Sequence, residues 1–279
     1  MTSQHDFPVP PPLAEGAQRW LATAPAQRQI VPPRMAATVM LLRESASGPE
    51  VFMLRRVPSM AFAPSVWVFP GGGVDPRDEG GDIPWAGPSP AQWAALTGLS
   101  EGVARATVIA AVREVFEECG VLLAGPSADT VVADVSGDDW HADREALLDR
   151  SLSFAELLTR RRLVLRSDLL ALQDHWVTPE MEPKRYDTWF FAARLPERQA
   201  ADDRTTEADR TEWVRPAAAL EQVGAGAARM MPPTIVQLRR LGAFADIGAA
   251  MVNRPDLVAV MPEPAQAGDA MVLRATLND

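Results

Sequence analysis

The stretch that decides the fold of this chain is Arg113-Glu114-Val115-Phe116-Glu117-Glu118-Cys119-Gly120-Val121. It closes a longer segment with the spacing of an amphipathic helix. Ser100 is a suitable N-cap for that segment, and Gly120 stands where a left-handed C-cap residue belongs. On a helical wheel of about 100° per residue, the three glutamates share one arc and the apolar residues form a core stripe. The sequence predicts a helix from about Glu101 to Cys119.

Glu114, Glu117 and Glu118 fall near the C-terminal end of this predicted helix. Carboxylates clustered there repel one another and oppose the helix macrodipole, so the arrangement is unfavourable without a cation. Hard divalent cations take oxygen ligands, and Mg²⁺ combines a few carboxylates with water and substrate phosphates. The pattern therefore favours a metal site for phosphate chemistry, and a solvated acidic helix face is the alternative.

The flanking sequence alternates between predicted strands and helices. Apolar runs predict strands at residues 36–42, 51–54, 66–69, 189–193 and 211–214. The third run ends at Pro70-Gly71-Gly72-Gly73, a turn that exposes a loop at a sheet edge. A last helix is predicted from Pro233 to Val252. Strands interleaved with helices indicate the α/β class.

The predicted domain organisation has three parts. Residues 1–30 are rich in proline and lack a sustained period, which predicts a flexible arm. Residues 31–279 form a single predicted domain. Two insertions interrupt it at about 79–99 and 125–173, each with helical patterning.

Composition excludes several classes of protein. The chain carries 27 basic and 37 acidic residues, a net charge of −10, which argues against nucleic acid as the partner. No apolar run approaches the ~20 residues of a membrane span, and residues 1–16 contain no apolar core of a signal peptide. The single cysteine excludes an internal disulfide and fits a reducing compartment. We expect a cytoplasmic protein that acts on a small molecule, and we leave a homodimer open.

The segment Arg113–Val121 resembles the second half of the Nudix box, R-E-U-x-E-E-x-G-U, where U is a bulky aliphatic residue, and every fixed position matches. The segment Phe69–Gly72 resembles the strand end and glycine loop that open the box. The chain is thus similar to the Nudix hydrolase family over about residues 35–250. This resemblance implies an α/β/α sandwich with a mixed sheet and helical insertions.

The box departs from the usual pattern in its spacing. Positions 73 to 112 separate Gly72 from Arg113, which is 40 residues and far more than usual. The isolated glutamate of the box would fall near Asp78 or Glu79 and is not assigned. A similar insertion occurs in the branch of the family that contains the animal coenzyme A diphosphatases. Residues 176–188 and 232–241 also resemble that branch.

The resemblance implies hydrolysis of a diphosphate linkage in a nucleoside diphosphate derivative. It implies that Glu114, Glu117 and Glu118 hold Mg²⁺ or Mn²⁺ and that Arg113 orients a box glutamate. A general base or further metal ligand usually lies outside the box. Glu207 is the candidate and Glu212 the reserve, with a solvated loop charge as the alternative for Glu207. The predicted catalytic residues are Glu117, Glu118, Arg113 and Glu207.

The substrate side contains a loop and a downstream cluster. Gly71, Gly72 and Gly73 lack a Cβ, so their backbone N–H groups could approach a diphosphate closely. Lys184, Arg185 and Tyr186 face the ligand in one interpretation. In the other interpretation they form the rim of a strand, with Tyr186 in the core.

Coenzyme A or an acyl-CoA is the sharper substrate hypothesis, with 3′,5′-ADP and (acyl-)phosphopantetheine as products. Coenzyme A members often carry L-L-T-x-R-S-x-x-x-R-x-x-x-G-x-x-x-F-P-G-G. Aligned on Phe69, its first arginine falls on Arg56 and matches, whereas Ala61 and Ser65 replace its second arginine and its glycine. ADP-ribose, NADH and related dinucleotides stay open as substrates.

A binding module that senses a nucleotide without cleaving it is the alternative from another class. The unassigned isolated glutamate favours that alternative. The intact Arg113, Glu114, Glu117 and Glu118 favour the enzyme, which is the interpretation we prefer.

Overall fold

The computed structural model of the chain describes residues 2–59, 64–253 and 257–278. Its strands are β1 Thr2–Pro8, β2 Arg34–Ser45, β3 Gly48–Arg56, β4 Trp67–Val68, β5 Gly71–Gly73, β6 Trp85–Ala86, β7 Ala124–Gly125, β8 Val164–Arg166, β9 Leu170–Val177, β10 Tyr186–Arg194, β11 Ala208–Val214, β12 Glu263–Ala267 and β13 Ala270–Asn278. Its α-helices are α1 Pro11–Ala22, α2 Pro90–Thr97, α3 Glu101–Cys119, α4 Asp138–Leu148, α5 Phe154–Arg161, α6 Pro216–Gly224, α7 Pro232–Ala243 and α8 Ile247–Val252.

A mixed sheet in the order β11-β3-β2-β10-β9 forms the centre of the fold. Strand β10 runs parallel to β2 and antiparallel to β9, while β3 runs antiparallel to β2 and β11. The short strands β4 and β5 extend this sheet by pairing with β3 and β2. The glycines predicted as a turn, Gly71–Gly73, instead form strand β5, so pairing with β2 fixes the position of this segment, which we continue to call the glycine turn.

Successive side chains of the central strands enter two different cores, as the two-residue period of a strand requires. In β2, Val39 and Leu41 pack in the core that contains α3, whereas Met40 and Leu42 pack in the core that contains α6 and α7. Helices therefore cover both faces of the sheet, and the predicted α/β/α sandwich with a mixed sheet is confirmed.

Helix α3 has the predicted bounds. Ser100 takes the N-cap position in an extended conformation, although its side chain makes no capping bond. Gly120 ends the helix with φ 67°, in the left-handed region that glycine adopts at low cost. One side of the helix packs on the sheet, which leaves its glutamates beside the strand ends.

The two insertions share a core with α3. Trp93 of the first and Leu147, Leu157 and Leu165 of the second are buried in the same cluster as the apolar side of α3. A small sheet in the order β6-β8-β7 joins them further. The insertions thus form one layer against α3. That residues 31–279 form a single domain stays a prediction.

Residues 1–30 differ from the predicted flexible arm, because most of them form regular structure. Strand β1 pairs antiparallel with β13 along its whole length, from Thr2–Asn278 to Pro8–Val272. Helix α1 follows, with proline in its first turn, where a backbone N–H is not needed. The strand partner lies at the other end of the chain, so local sequence patterns contain no sign of it.

The predicted final helix is two helices, α7 and α8. Phe244 ends α7 in an extended conformation with ψ 140°. The Asp246 carboxylate then accepts the backbone N–H of Ala249 at 2.7 Å and starts α8. An aspartate N-cap inside an apolar periodic run is therefore what divides the segment.

Among the described residues, no single helix is long and apolar enough to cross a membrane. Helices α2 and α3 meet the length and composition only when taken together, and they are bent by 98° at the break between them.

Candidate active site

The three glutamates of α3 are buried beside the glycine turn. Glu114 is 9% exposed, and Glu117 and Glu118 are each 7% exposed. A solvated acidic face would leave these side chains in water, so their burial argues against that alternative. Buried carboxylates need hydrogen bonds or a counter-charge, and the surrounding residues supply part of both.

Arg113 is the counter-charge at the centre of this cluster. Its Nη1 donates to Glu114 Oε1 at 2.8 Å and to Glu117 Oε2 at 2.9 Å. Its Nε and Nη2 donate to the two oxygens of Asp78, each at 3.0 Å, and Nη2 also donates to the Gly73 carbonyl at 3.0 Å. Every N–H of the guanidinium therefore has an acceptor. Arg113 orients carboxylates and has no donor left for a substrate.

The sequence left Asp78 and Glu79 as the alternatives for the isolated glutamate of the box, and the structure places Asp78 against Arg113. Asp78 is 2% exposed and binds Arg113 through both carboxylate oxygens. A capping box holds it, because Asp75 accepts the Arg77 N–H and donates its own N–H to Asp78 Oδ2 at 2.9 Å. Of the two residues left open for the isolated carboxylate of the box, the aspartate is therefore the one bound to Arg113.

The pKa values of the glutamates show that one arginine does not compensate the cluster. Burial raises the pKa of Glu114 to about 7, although the neighbouring charge of Arg113 lowers it. Burial, reinforced by the charge of Glu114, raises the pKa of Glu118 well above its ordinary value. Burial also raises the pKa of Glu117. Three carboxylates, those of Asp78, Glu114 and Glu117, share the Arg113 guanidinium, and the partner of Glu118 is an uncharged backbone N–H, so the fully ionised cluster is short of positive charge.

The glycine turn packs directly on these carboxylates. Gly71 donates its backbone N–H to Glu118 Oε2 at 2.8 Å, so this N–H positions a glutamate and is not free for a diphosphate. A Cβ added to Gly72 would lie 2.5 Å from Glu114 Oε1. A side chain at position 72 would displace the Glu114 carboxylate from the space that it occupies.

Glu207 and Arg56 lie next to Glu118. All three line a small cavity of about 10 Å³, which shares Arg56 and Glu207 with the main cleft. The charge of Glu207 raises the pKa of Glu114 and Glu118, whereas the charge of Arg56 lowers that of Glu118. The Nε of Arg56 is buried and has no hydrogen-bond partner in the described part of the chain.

Glu212, the reserve candidate for the base, points elsewhere. It pairs with Arg210 at 3.1 Å on β11. Within the described residues it lines neither the main cleft nor the small cavity. The structure therefore corrects this reserve choice and leaves Glu207 as the candidate.

A cleft of about 720 Å³ opens over the cluster. Its polar wall includes Glu114, Glu117, Glu207 and the glycines of β5. Arg34, Arg56 and Lys184 bring positive charge to the same cleft. Apolar side chains from several elements form the remaining wall: Leu13, Phe69, Leu147, Trp176, Met231 and Leu273. The cleft can therefore accept an anionic group at one part and an apolar group at another.

The downstream cluster divides between the cleft and the protein interior. Lys184 and Tyr186 line the cleft, and Lys184 Nζ lies 5.7 Å from the centre of the Tyr186 ring. Arg185 is 5% exposed and donates to the carbonyls of Thr178 at 3.0 Å and Val31 at 2.7 Å. The substrate-binding prediction for Arg185 is corrected, because side chains alternate along the strand that begins here.

Five charged residues of the cleft had no role in the sequence prediction: Arg34, Asp75, Arg77, Arg150 and Glu182. The capping spacing Asp75-x-x-Asp78 is a local signal that identifies the turn after the glycines. Hydrogen bonds from Arg77 lower the pKa of Asp75 to about 2, which keeps this carboxylate charged. Nothing local to Arg34 indicates its position, which depends on the pairing of β2 with β10.

The donor set suits a hard divalent cation in its chemistry. It consists of buried carboxylate oxygens whose raised pKa values mark a deficit of positive charge. The arrangement is not closed around an ion, since no three metal-binding side chains of the described residues converge on one point. Oxygens of Glu114 and Glu117 bond to Arg113 instead. The residues fit the group by type and charge, and binding would require these oxygens to turn.

A family model described as the NUDT19 Nudix domain matches residues 94–241, just over half of the chain. The chain belongs to this Nudix domain family. The match contains all of α3 and both segments downstream that resemble the coenzyme A diphosphatase branch. Nudix hydrolases generally use divalent metal ions.

Curated relatives and one solved structure agree with this family. "Putative nudix hydrolase 7" of Caenorhabditis elegans is 28% identical over 76% of this chain and 62% of its own length. "Acyl-coenzyme A diphosphatase NUDT19" of Xenopus laevis is 28% identical over 76% of this chain and 65% of its own length. The chain thus matches less than two thirds of these relatives. The crystal structure of a NUDIX hydrolase from Alicyclobacillus acidocaldarius is 26% identical, with a TM-score of 0.63, over 81% of this chain and 98% of that one.

Proposed function

We propose that this protein hydrolyses the diphosphate linkage of a nucleoside diphosphate derivative, with coenzyme A or an acyl-CoA as the leading substrate. The observation that carries this proposal is the cluster of buried glutamates on α3: Glu114 and Glu117 bind Arg113 and line the large cleft, and Glu118 lines the small cavity together with Glu207. The names of the relatives support coenzyme A as the substrate. ADP-ribose, NADH and other dinucleotides are the alternatives.

In this proposal Glu114, Glu117 and Glu118 hold Mg²⁺ or Mn²⁺, which supplies positive charge against the diphosphate. Asp78 and Arg113 hold the carboxylates in place. Gly71 fixes Glu118 through its N–H, and Gly72 leaves room for Glu114. Glu207 accepts a proton from the attacking water. The water oxygen bonds to one phosphorus while the bridging P–O bond breaks, and the other phosphate leaves.

Recognition of the substrate is assigned to the cations and the apolar wall of the cleft. Arg56 and Lys184 bind phosphate oxygens, and Tyr186 lies beside the organic part of the substrate. The apolar wall accepts the pantetheine arm or its acyl group. Ser65 supports this assignment, because its φ of 57° is the left-handed conformation that suits the glycine of the coenzyme A pattern. Ala61, at the second arginine of that pattern, lies outside the described residues.

The alternative function, a nucleotide-sensing module, was favoured only because the isolated carboxylate of the box was unassigned. Asp78 supplies a carboxylate bonded to Arg113, so that reason for a binding module no longer applies. The cytoplasmic location and a homodimer remain predictions.

The test is a panel of coenzyme A, an acyl-CoA, ADP-ribose and NADH with Mg²⁺ or Mn²⁺, with products identified by mass. We expect 3′,5′-ADP and phosphopantetheine from coenzyme A. Cleavage of ADP-ribose or NADH but not of coenzyme A would change the assigned substrate. Nucleotide binding without any cleavage would change the assigned function from an enzyme to a sensor.

A further inference from the structure

A buried arginine of the second insertion connects the end of α3 with the loop that carries Glu207. Arg144 lies on α4 and is 3% exposed. Its Nε donates to the backbone carbonyl of Glu117 at 2.7 Å, and its Nη1 donates to Asp202 Oδ1 at 2.6 Å. One guanidinium therefore holds two segments that bear carboxylates of the candidate site.

At the helix end, this arginine takes the place of a missing backbone partner. The last carbonyls of an α-helix have no N–H within the helix to bind. The Phe116 carbonyl accepts the Gly120 N–H at 3.0 Å, and the Cys119 carbonyl accepts the Asp202 N–H at 3.0 Å. Arg144 binds the Glu117 carbonyl, where its positive charge also interacts favourably with the negative end of the helix dipole.

At the loop end, Asp202 begins a short segment that is fixed on both sides. Asp202 Oδ1 accepts the Arg204 N–H at 3.0 Å, and Thr205 Oγ1 accepts the Glu207 N–H at 3.2 Å. The Glu207 carbonyl accepts the Val57 N–H at 3.0 Å, which ties the far end to the central sheet. The position of Glu207 thus depends on two anchors, the sheet and the Arg144–Asp202 pair.

The backbone at the end of α3 leaves room for this pair. A Cβ added to Gly120 would lie 2.8 Å from Asp202 Oδ2 and 3.1 Å from Arg144 Nη1. The glycine of the box therefore serves the helix end and the contact with the loop together.

We propose that Arg144 is a positioning residue, which sets where Glu207 stands relative to Glu114 and Glu118 and makes the second insertion part of the reaction. This inference rests on the proposed function, since Glu207 is the group it positions. Arg144 acts through Asp202 and α3 and does not contact substrate.

The first test is a double-mutant cycle with coenzyme A as the probe. Arg144→Met should lower kcat about tenfold and change KM much less, because geometry is lost and binding groups are kept. In a Glu207→Gln background the same change should cost nothing further. Arg161→Met is the matched control, since Arg161 lies in the same insertion and pairs with Asp139 at 2.6 Å and Asp143 at 2.7 Å. Arg161→Met should change kcat by the same factor in the wild type and in the Glu207→Gln background, because the two residues are not coupled.

Multiplicative effects of Arg144→Met and Glu207→Gln on kcat would overturn the proposal, because Arg144 would then affect turnover independently of Glu207. An unaltered kcat in Glu207→Gln would overturn it too, while cleavage of coenzyme A by the wild type would leave the proposed function intact. If Arg144→Met does not fold, Asp202→Asn replaces it, since this change removes the ion pair and keeps the backbone bond to α3.

The second test does not use activity. Arg204 is exposed within the loop, so trypsin can cleave after it, and the fragments can be identified by mass. Arg144→Met or Asp202→Asn should raise the rate of this cleavage several-fold, whereas Arg161→Met should leave it unchanged. If trypsin cleaved Arg144→Met and Asp202→Asn at the wild-type rate, the proposal would be overturned even if the enzyme is active.

Discussion

Asp78 and Arg113 are 35 residues apart in the sequence, yet Asp78 Oδ2 accepts the Nη2–H of Arg113 at 3.0 Å. The first insertion lies between them and leaves this bond in place. The two parts of the interrupted box therefore meet in space as if the insertion were absent. This contact determines where the glycine turn sits on α3, because Arg113 also binds the Gly73 carbonyl.

Removal of the Asp78 charge should destabilise the protein. Asp78→Asn leaves the buried Arg113 short of a carboxylate, and we expect the free energy of unfolding to fall by about 3 kcal/mol. Urea unfolding measures this change. Asp209→Asn is the control, because Asp209 forms an exposed pair with Arg55 at 2.7 Å and should matter much less. Equal losses in the two variants would contradict the central role of Asp78.

A methyl group at position 72 should inactivate the site without unfolding the protein. Gly72→Ala would place a Cβ 2.5 Å from Glu114 Oε1 and displace that carboxylate. We expect turnover of coenzyme A to fall about 100-fold with a small change in the melting temperature. Gly102→Ala, in a helical position with no heavy atom within 4 Å of the added Cβ, should keep full activity. Full activity of Gly72→Ala would show that Glu114 can move freely.

Lys184 and Arg185 are neighbours with opposite expected roles. Lys184→Ala should raise the KM for coenzyme A about tenfold, since a charged hydrogen bond to phosphate is lost, and should leave stability unchanged. Arg185→Ala should instead lower the free energy of unfolding, because a buried side chain is removed and the Thr178 and Val31 carbonyls lose their donor. Steady-state kinetics and urea unfolding of both variants test the contrast, and exchanged phenotypes would contradict it.

The stability of the metal-free protein should decrease as pH rises. Burial raises the folded-state pKa of Glu114 from 4.5 to about 7, so its proton stabilises the fold below 4.5, and this contribution is lost as pH rises through about 7. Unfolding in EDTA should therefore become easier from about pH 5 to about pH 8, and excess Mg²⁺ should reverse the loss at the higher pH. A flat profile, or one that Mg²⁺ does not change, would contradict the charge deficit.

Features that depend on nearby residues were predictable from the sequence. Helix α3 and its left-handed Gly120 follow from local spacing, and the family motif adds Arg113 and the glutamates. The glycines after Pro70 were predicted as a turn, whereas Gly71–Gly73 form strand β5. Features that depend on distant pairing were not predictable. Strand β1 pairs with β13 at the opposite end of the chain, which no local pattern indicates. The prolines and the lack of period in residues 1–30 therefore suggested an arm.

The candidate site shows the same division. The sequence placed Lys184 and Arg185 together, but just before β10 Lys184 lines the cleft whereas Arg185 is buried. It left the isolated carboxylate open between Asp78 and Glu79, because the choice depends on which one reaches Arg113. Arg144 and Asp202 belong to segments far apart in sequence, and only the packing of the insertion brings them to the end of α3.

The most direct test of the account compares the turnover of coenzyme A by wild type, Glu118→Gln and the control Glu212→Gln, with saturating Mg²⁺ or Mn²⁺ and products identified by mass. Glu118→Gln keeps the shape of the side chain and removes a buried charge. We predict that it lowers turnover at least 100-fold, which is the usual cost of losing one electrostatic group of an active site. We also predict that the apo protein becomes slightly more stable. Glu212→Gln should retain nearly full activity. Wild-type turnover by Glu118→Gln would contradict the assignment of the α3 carboxylates as the reaction site.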